Sequence, residues 1–243
     1  RHDARGEMSR VLITGNLGYI GPVLQRVFGE SAPEVALVGY DSGFFAHGLS
    51  TDVRSPDVGL ERQWYGDVRD VPDAALEGVD TVIHLAAISN DPMGNSFEAV
   101  TDEINHRASV ALASRAKRAG VSRFVFASSC SMYGFAEGGA RGEDDELNPL
   151  TAYARSKVAT ERGLERLAGP GFGVTCLRFA TACGMSERIR LDLVLNDFVA
   201  GMAHLVADAI EDHPFDLLHL RGLSHAVLIE ALAATRRDQT EPD

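Results

Sequence analysis

Tyr153 and Lys157 stand four residues apart in the run Tyr153-Ala154-Arg155-Ser156-Lys157. On a helix that spacing puts a phenol and an ammonium on one face, a turn apart. A phenol with a pKa near its usual ~10 is a poor base at neutral pH, and a neighbouring ammonium favours its anion. The pair is therefore suited to taking a proton from a hydroxyl. Lys157 is one of only two lysines, the other being Lys117, beside twenty-one arginines. The hydroxyl-rich run Ala127-Ser128-Ser129-Cys130-Ser131-Met132-Tyr133-Gly134 precedes it. A serine there can hydrogen-bond a reacting oxygen while Tyr153 moves its proton. The plainer alternative is a polar turn at a strand end.

A second chemical signal is Thr14-Gly15-Asn16-Leu17-Gly18-Tyr19-Ile20-Gly21. Gly15 permits a tight turn, Gly18 lets a pyrophosphate approach the backbone, and Gly21 allows close packing of a helix on a strand. The N–H groups of that helix would meet the phosphates. Asp41 follows Gly21 by twenty residues, at the end of a predicted strand. A carboxylate there accepts from ribose hydroxyls and repels a 2′-phosphate, which favours NAD over NADP. Asp67 and Val68, after Gly66, fall where an adenine would rest, though an ordinary Gly-Asp turn explains them equally well. Leu85, Ala86 and Ala87 supply small residues beside the pyrophosphate, and His84 before them reads as a packed core histidine rather than a base.

These groups need elements to hold them. Short β-rich runs at 10–14, 35–40, 63–65, 81–85, 123–127 and 174–178 alternate with helical patterns at 19–29, 97–119 and 152–167. The alternation predicts an α/β Rossmann fold, a doubly wound parallel sheet. Gly120 would end the long middle helix. Residues 8–184 are expected to form the dinucleotide-binding domain, and 185–243 a smaller substrate lobe. In that tail the pattern loosens, with a helix expected at 191–205, a strand at 215–220 and a helix at 224–235.

The 243 residues suffice for a substantial core, and the net charge of -12 argues against a nucleic-acid partner. No apolar run reaches the ~18–20 residues of a membrane span. The cysteines, Cys130, Cys176 and Cys183, are odd in number and scattered. They predict a reducing, cytoplasmic setting and no metal site.

Taken in order, these elements resemble the extended branch of the short-chain dehydrogenase/reductase superfamily, specifically its nucleotide-sugar epimerase/dehydratase group, over about residues 10–200. The resemblance implies an NAD-binding Rossmann domain and a Ser–Tyr–Lys catalytic set. The family serine stands four residues before the tyrosine of an S-S-x-x-x-Y-G motif, which selects Ser129, with Ser131 in reserve. Asn105 matches the family asparagine that maintains the active-site water and lysine arrangement. Cofactor contacts then fall on Gly15 to Gly21, Asp41, Asp67, Val68, Leu85, Ala86, Ala87, Asn105, Ser128, Tyr153 and Lys157. The segment from Arg178 to Gly184 matches the family's stretch after strand six. It suggests Thr181, Arg188 and Asn196, beside Ser129 and Ser131, as contacts to a nucleotide-diphosphate sugar, with Arg190 as a further phosphate partner. A homodimer packed through the two long helices is also implied.

Departures from the family pattern narrow the reaction. Its 4,6-dehydratases carry Asp-Glu directly after the catalytic threonine, where this chain has Cys130 and Ser131. The resemblance therefore favours a 4-epimerase, which oxidises a sugar hydroxyl to a transient ketone and reduces it again without that acid and base. Cys130 is expected to be a buried, inert thiol rather than an acid or base. A dehydratase, reductase or other dehydrogenase is the alternative within the family. Outside enzymes, the alternative is an NAD-binding regulatory protein, which would need the glycine turn but not Tyr153 and Lys157. The family's glycine-rich stretch and arginine-bearing strand are not found in the tail, and the junction Ala203–His204 reads as a splice across missing sequence.

Overall fold

The computed structural model describes residues 9–44, 56–89, 97–135 and 139–211, with side chains described as far as Ala203. Six parallel strands form one sheet: β1 (Arg10–Thr14), β2 (Ala36–Asp41), β3 (Arg62–Tyr65), β4 (Thr81–His84), β5 (Arg123–Ser129) and β6 (Gly173–Phe179). Their spatial order is β3-β2-β1-β4-β5-β6. The order reverses between β1 and β4, and such a reversal opens a crevice at the carboxyl ends of the strands. The register aligns those ends, pairing Thr14 with both Tyr40 and His84, and His84 with Phe126. Every motif singled out above lies at or just beyond them.

Helices α1 (Ile20–Ser31), α2 (Glu98–Asp102), α3 (Ser109–Arg118), α4 (Ala152–Glu165) and α5 (Val194–Glu211) complete the described elements. Continuous apolar runs place β1 and β2 inside, covered on both faces. Leu12, Val82 and Phe124 pack with Leu76, Leu112 and Leu164 on one side of the sheet. Val11, Ile13 and Leu37 meet Leu24 and Phe28 of α1 on the other. Each such fully buried side chain contributes about 1.5–3 kcal/mol.

The helix expected at 97–119 is interrupted in its middle. Between α2 and α3, Glu103–Ala108 winds as a π-turn, a widened turn found most often at functional sites. Gly120, at φ +91°, turns the chain out of α3 as expected. The tail helix begins at Val194 rather than 191, and its backbone runs through Ala203–His204 without a break. The expected strand at 215–220 and helix at 224–235 lie outside the described residues. The chain divides into two compact units between Leu193 and Val194.

Candidate active site

The glycine turn between β1 and α1 is built by close approach. Gly15 has φ +73°, and a Cβ there would lie 2.6 Å from the Ala86 nitrogen. At Gly21 a Cβ would meet the Asn16 carbonyl oxygen at 2.1 Å. Gly18 differs, because among the described residues the sole neighbour within 4 Å of its would-be Cβ is the Gly15 oxygen at 3.3 Å. Its outer face is thus open to a ligand. Tyr19 gives α1 no side-chain cap, and the first turn of α1, which starts at Ile20, carries no acidic residue. The N–H groups there are available to an anion.

The turn is held by partners of unequal legibility. Asp41 accepts from the Leu17 amide at 3.1 Å and from the Gly43 amide at 2.8 Å, so it braces the turn from the end of β2. Asn16 is fully buried, and its carboxamide is paired with Gln63 of β3 at 2.7 and 3.3 Å. Only its backbone faces the turn. Gln25 of α1 donates to the Asn16 carbonyl at 2.8 Å. Leu17 is likewise buried in the core and reaches the turn through its backbone. Asp67 caps a short 3-10 turn, Val68–Asp70, and pairs with Arg69, whose hydrogen bonds hold the carboxyl below its usual range. Val68 packs against the core.

Tyr153 and Lys157 share one face of α4, begun by Thr151, whose hydroxyl accepts from the Ala154 amide at 3.1 Å. The Lys157 ammonium lies 5.3 Å from the centre of the Tyr153 ring and 4.6 Å from that of Phe126. It donates to the Ala127 carbonyl at 2.6 Å. Burial pushes its pKa down to about 7, against a smaller opposing pull from Glu161. Lys157 therefore changes charge near neutrality. Tyr153 is only half-buried.

Ser129 ends β5 and accepts from the Ser131 amide at 3.2 Å, capping the turn Cys130–Tyr133. The capping role and a role toward substrate are compatible, since the hydroxyl still has a proton to give. The Ser128 and Ser131 hydroxyl oxygens are buried and without a hydrogen-bond partner among the described residues. Such orphans are costly unless a ligand or water meets them. An orphaned hydroxyl beside Lys157's acceptor strand, with an open Gly18 and a glycine turn no Cβ could enter, fits a dinucleotide.

Asn105 lies within the π-turn. Its carboxamide accepts from the Ile88 amide at 2.8 Å and donates to the Ile88 carbonyl at 2.9 Å and to Ser156 at 3.3 Å. Its own carbonyl accepts from Ser109 at 2.7 Å and from Thr160 at 2.8 Å. Asn105 thus clasps the segment leaving β4 to the helix that carries Lys157. His84, as expected of a core histidine, is buried and bonded to Thr14 at 2.6 Å and Ser109 at 2.7 Å. Burial, and then the nearby Lys157 charge, lower its pKa to about 3.

Beyond β6, Thr181 is exposed, whereas Arg188 is buried. The segment between them returns to the glycine turn: the Tyr19 hydroxyl donates to the Gly184 carbonyl and the Ser186 hydroxyl to the Tyr19 carbonyl, each at 2.7 Å. Arg190 donates to Ser89 at 2.7 Å and pairs with Asp192. Those Asp192 bonds keep its guanidinium charged, and Tyr153 and Tyr19 are near enough to add to the effect. Asn196 lies on α5, in the second unit.

Gln63, Gln25 and the Gly184–Ser186 tether were not found from sequence. The glutamines carry no spacing signal, because their partner is set by strand register. A cavity of about 690 Å³ opens beside Cys130, Tyr133, Glu161, Cys176 and Arg178. There Arg178 pairs with Glu161 at 2.8 Å, and burial raises the Cys176 thiol to about 11. Cys130, expected to be buried, is exposed, because it follows the end of β5 in the turn Cys130–Tyr133.

Residues 11–227 match the NAD dependent epimerase/dehydratase family. The chain belongs to that family. It falls within the extended short-chain dehydrogenases/reductases, as its motifs led one to expect, and these are enzymes. It is 28% identical to a UDP-glucose 4-epimerase of Streptomyces lividans, over 96% of this chain and 73% of that one. It is 31% identical to a dTDP-glucose 4,6-dehydratase of Streptomyces griseus, over 62% of this chain and 47% of the other. The solved structure of MoeE5 with UDP-glucose and NAD superposes with a TM-score of 0.66 at 30% identity, covering 79% of this chain and 60% of that one. The chain thus spans about half to three quarters of the length of these relatives.

Proposed function

We propose that this family member is an NAD-dependent nucleotide-sugar epimerase of the 4-epimerase type. The observation that carries the reading is Tyr153, half-buried, with the buried Lys157 ammonium 5.3 Å from its ring. Cys130 and Ser131 stand where the family's 4,6-dehydratases carry their acid and base, which disfavours elimination. NAD held by the turn from Gly15 to Gly21 would supply a reversible hydride acceptor for the sugar carbon. Tyr153 takes the proton of the sugar hydroxyl and gives it back. Lys157 favours the tyrosine anion, and Ser129 orients the same oxygen.

Residues 8–184 hold the dinucleotide in this reading. The turn from Gly15 to Gly21 takes the pyrophosphate, Asp41 the adenosine ribose, and Ser128 with Lys157 the nicotinamide side. Asp67 and Val68 flank the adenine. Residues 185–243 form the substrate lobe, with Thr181, Arg188 and Asn196 toward the sugar diphosphate. Pairing of two copies through α2, α3 and α4 would give a homodimer working in the cytoplasm.

The similarity to a 4,6-dehydratase supports a second reading, and products separate the two. Denaturing the purified chain should release one equivalent of NAD, identified by mass. Incubation with nucleotide sugars should yield an isomer of unchanged mass; loss of water would instead establish the dehydratase. Tyr153→Phe should lower turnover about 10²–10⁴-fold while NAD binding survives. Near-normal turnover in that variant would exclude the mechanism.

A further inference from the structure

We infer that His84 is a positioning residue, a single-tautomer imidazole completing a one-way hydrogen-bond chain from the glycine turn to Asn105, which in turn holds the catalytic helix. The direction of the chain follows from its far end. The Asn105 carbonyl has no proton to give, so Ser109, 2.7 Å away, donates to it. That uses the one hydroxyl proton, and the Ser109 oxygen can then only accept from His84 Nε2 at 2.7 Å. A neutral imidazole with its proton on Nε2 presents a lone pair at Nδ1, so Thr14 donates to it across 2.6 Å. Every proton in the series is thereby assigned, and the ring cannot reverse without breaking two bonds.

The two ends of this chain give it a purpose. Thr14 immediately precedes Gly15, whose turn lies against Ala86. At the other end the Asn105 carbonyl also receives Thr160, and its carboxamide reaches Ser156, next to Lys157. The distance between the pyrophosphate turn and the helix of Tyr153 is thus fixed by four short buried hydrogen bonds, three from Thr14 to the Asn105 carbonyl and a fourth to that carbonyl from Thr160. Packing alone would not need this polarity, since His84 sits 5.7 and 5.9 Å from the Phe124 and Phe126 rings, where a phenylalanine would fill the space. Buried polar series of this kind specify geometry because a half-satisfied one is costly.

The inference rests on the dinucleotide reading of the glycine turn and is independent of which sugar is turned over. Nitrogen-15 spectra of the histidine-labelled full chain at neutral pH should show a neutral ring with an exchange-protected proton on Nε2. A proton on Nδ1, or two interconverting tautomers, would overturn the assignment without any variant being made. NAD titration then tests the role. Thr14→Val and Ser109→Ala should each weaken NAD binding about tenfold, the worth of one such bond. The double variant should be no worse than the weaker single one, because a chain cut twice is cut once. Thr14→Ser, which keeps the donor, should bind NAD normally. Additive losses, or lowered melting temperatures with unchanged NAD affinity, would reduce His84 to a packing residue. Because no sugar enters these measurements, failure of the epimerase reading leaves their outcome untouched.

Discussion

Strands β1 and β6 belong to one parallel sheet, yet β1 buries Leu12 and Ile13 completely while β6 leaves Leu177 42% and Phe179 39% exposed. The contrast extends to polar groups. Around β1, Asn16, Gln63 and Asp41 are spent on one another or on the glycine turn. Near β6, Arg178, Glu161 and Tyr133 are also paired with one another, but they line an open cavity instead of closing a turn. The cofactor side encloses itself with its own residues and needs only the dinucleotide to finish it. The far side is a prepared surface. A family that keeps one cofactor while changing its sugar is served by such a division, with rigidity where the chemistry is constant.

The contrast can be broken most severely at the turn. Gly21→Val should abolish NAD binding in a calorimetric titration, since even a Cβ would stand 2.1 Å from the Asn16 oxygen. A matched pair of truncations sharpens it next. Leu12→Ala should cost about 2–5 kcal/mol in denaturant unfolding, whereas Leu177→Ala should stay within about 0.5 kcal/mol. Equal losses would mean the β6 face is as closed as β1.

A third test lies between the two sides, at Lys157. Its pKa is pushed from 10.5 down to about 7 by burial. Below about pH 7 the lysine is charged both folded and unfolded, and the folded chain bears the whole cost of burying that charge. As pH rises from about 7 toward 10.5 the unfolded chain holds the extra proton, so this cost declines. Lys157→Met should therefore raise the melting temperature more at about pH 6 than at about pH 10. A gain that is constant with pH would show that Lys157 titrates alike in the folded and unfolded chain and stays charged across that range.

The strands and the glycine turn were legible because each depends on local sequence. A strand covered on both faces reads as an unbroken apolar run, as in Val11, Leu12 and Ile13, and a close approach demands glycine whatever the surroundings. Tyr153 and Lys157 were legible because a four-residue spacing has one meaning on a helix. The π-turn at Glu103–Ala108 was not, since six residues cannot distinguish a widened turn from a regular one by their apolar pattern. Gln63 was hidden for another reason. Its pairing with Asn16 spans 47 residues and is decided by strand register. His84 could be read as buried, but its tautomer required Ser109 and Asn105 in place.

Tyr19 carries a consequence for how the molecule is made. Its hydroxyl and carbonyl are fastened to Gly184 and Ser186, partners 165 and 167 residues further along the chain. Contacts of such separation form late, because the intervening chain must be ordered before they close. A nascent chain can lay down β1 and the glycine turn early in synthesis, but the latch on that turn cannot shut until residue 186 has emerged. A motif translated ahead of the rest of the sheet is thus among the last to be completed.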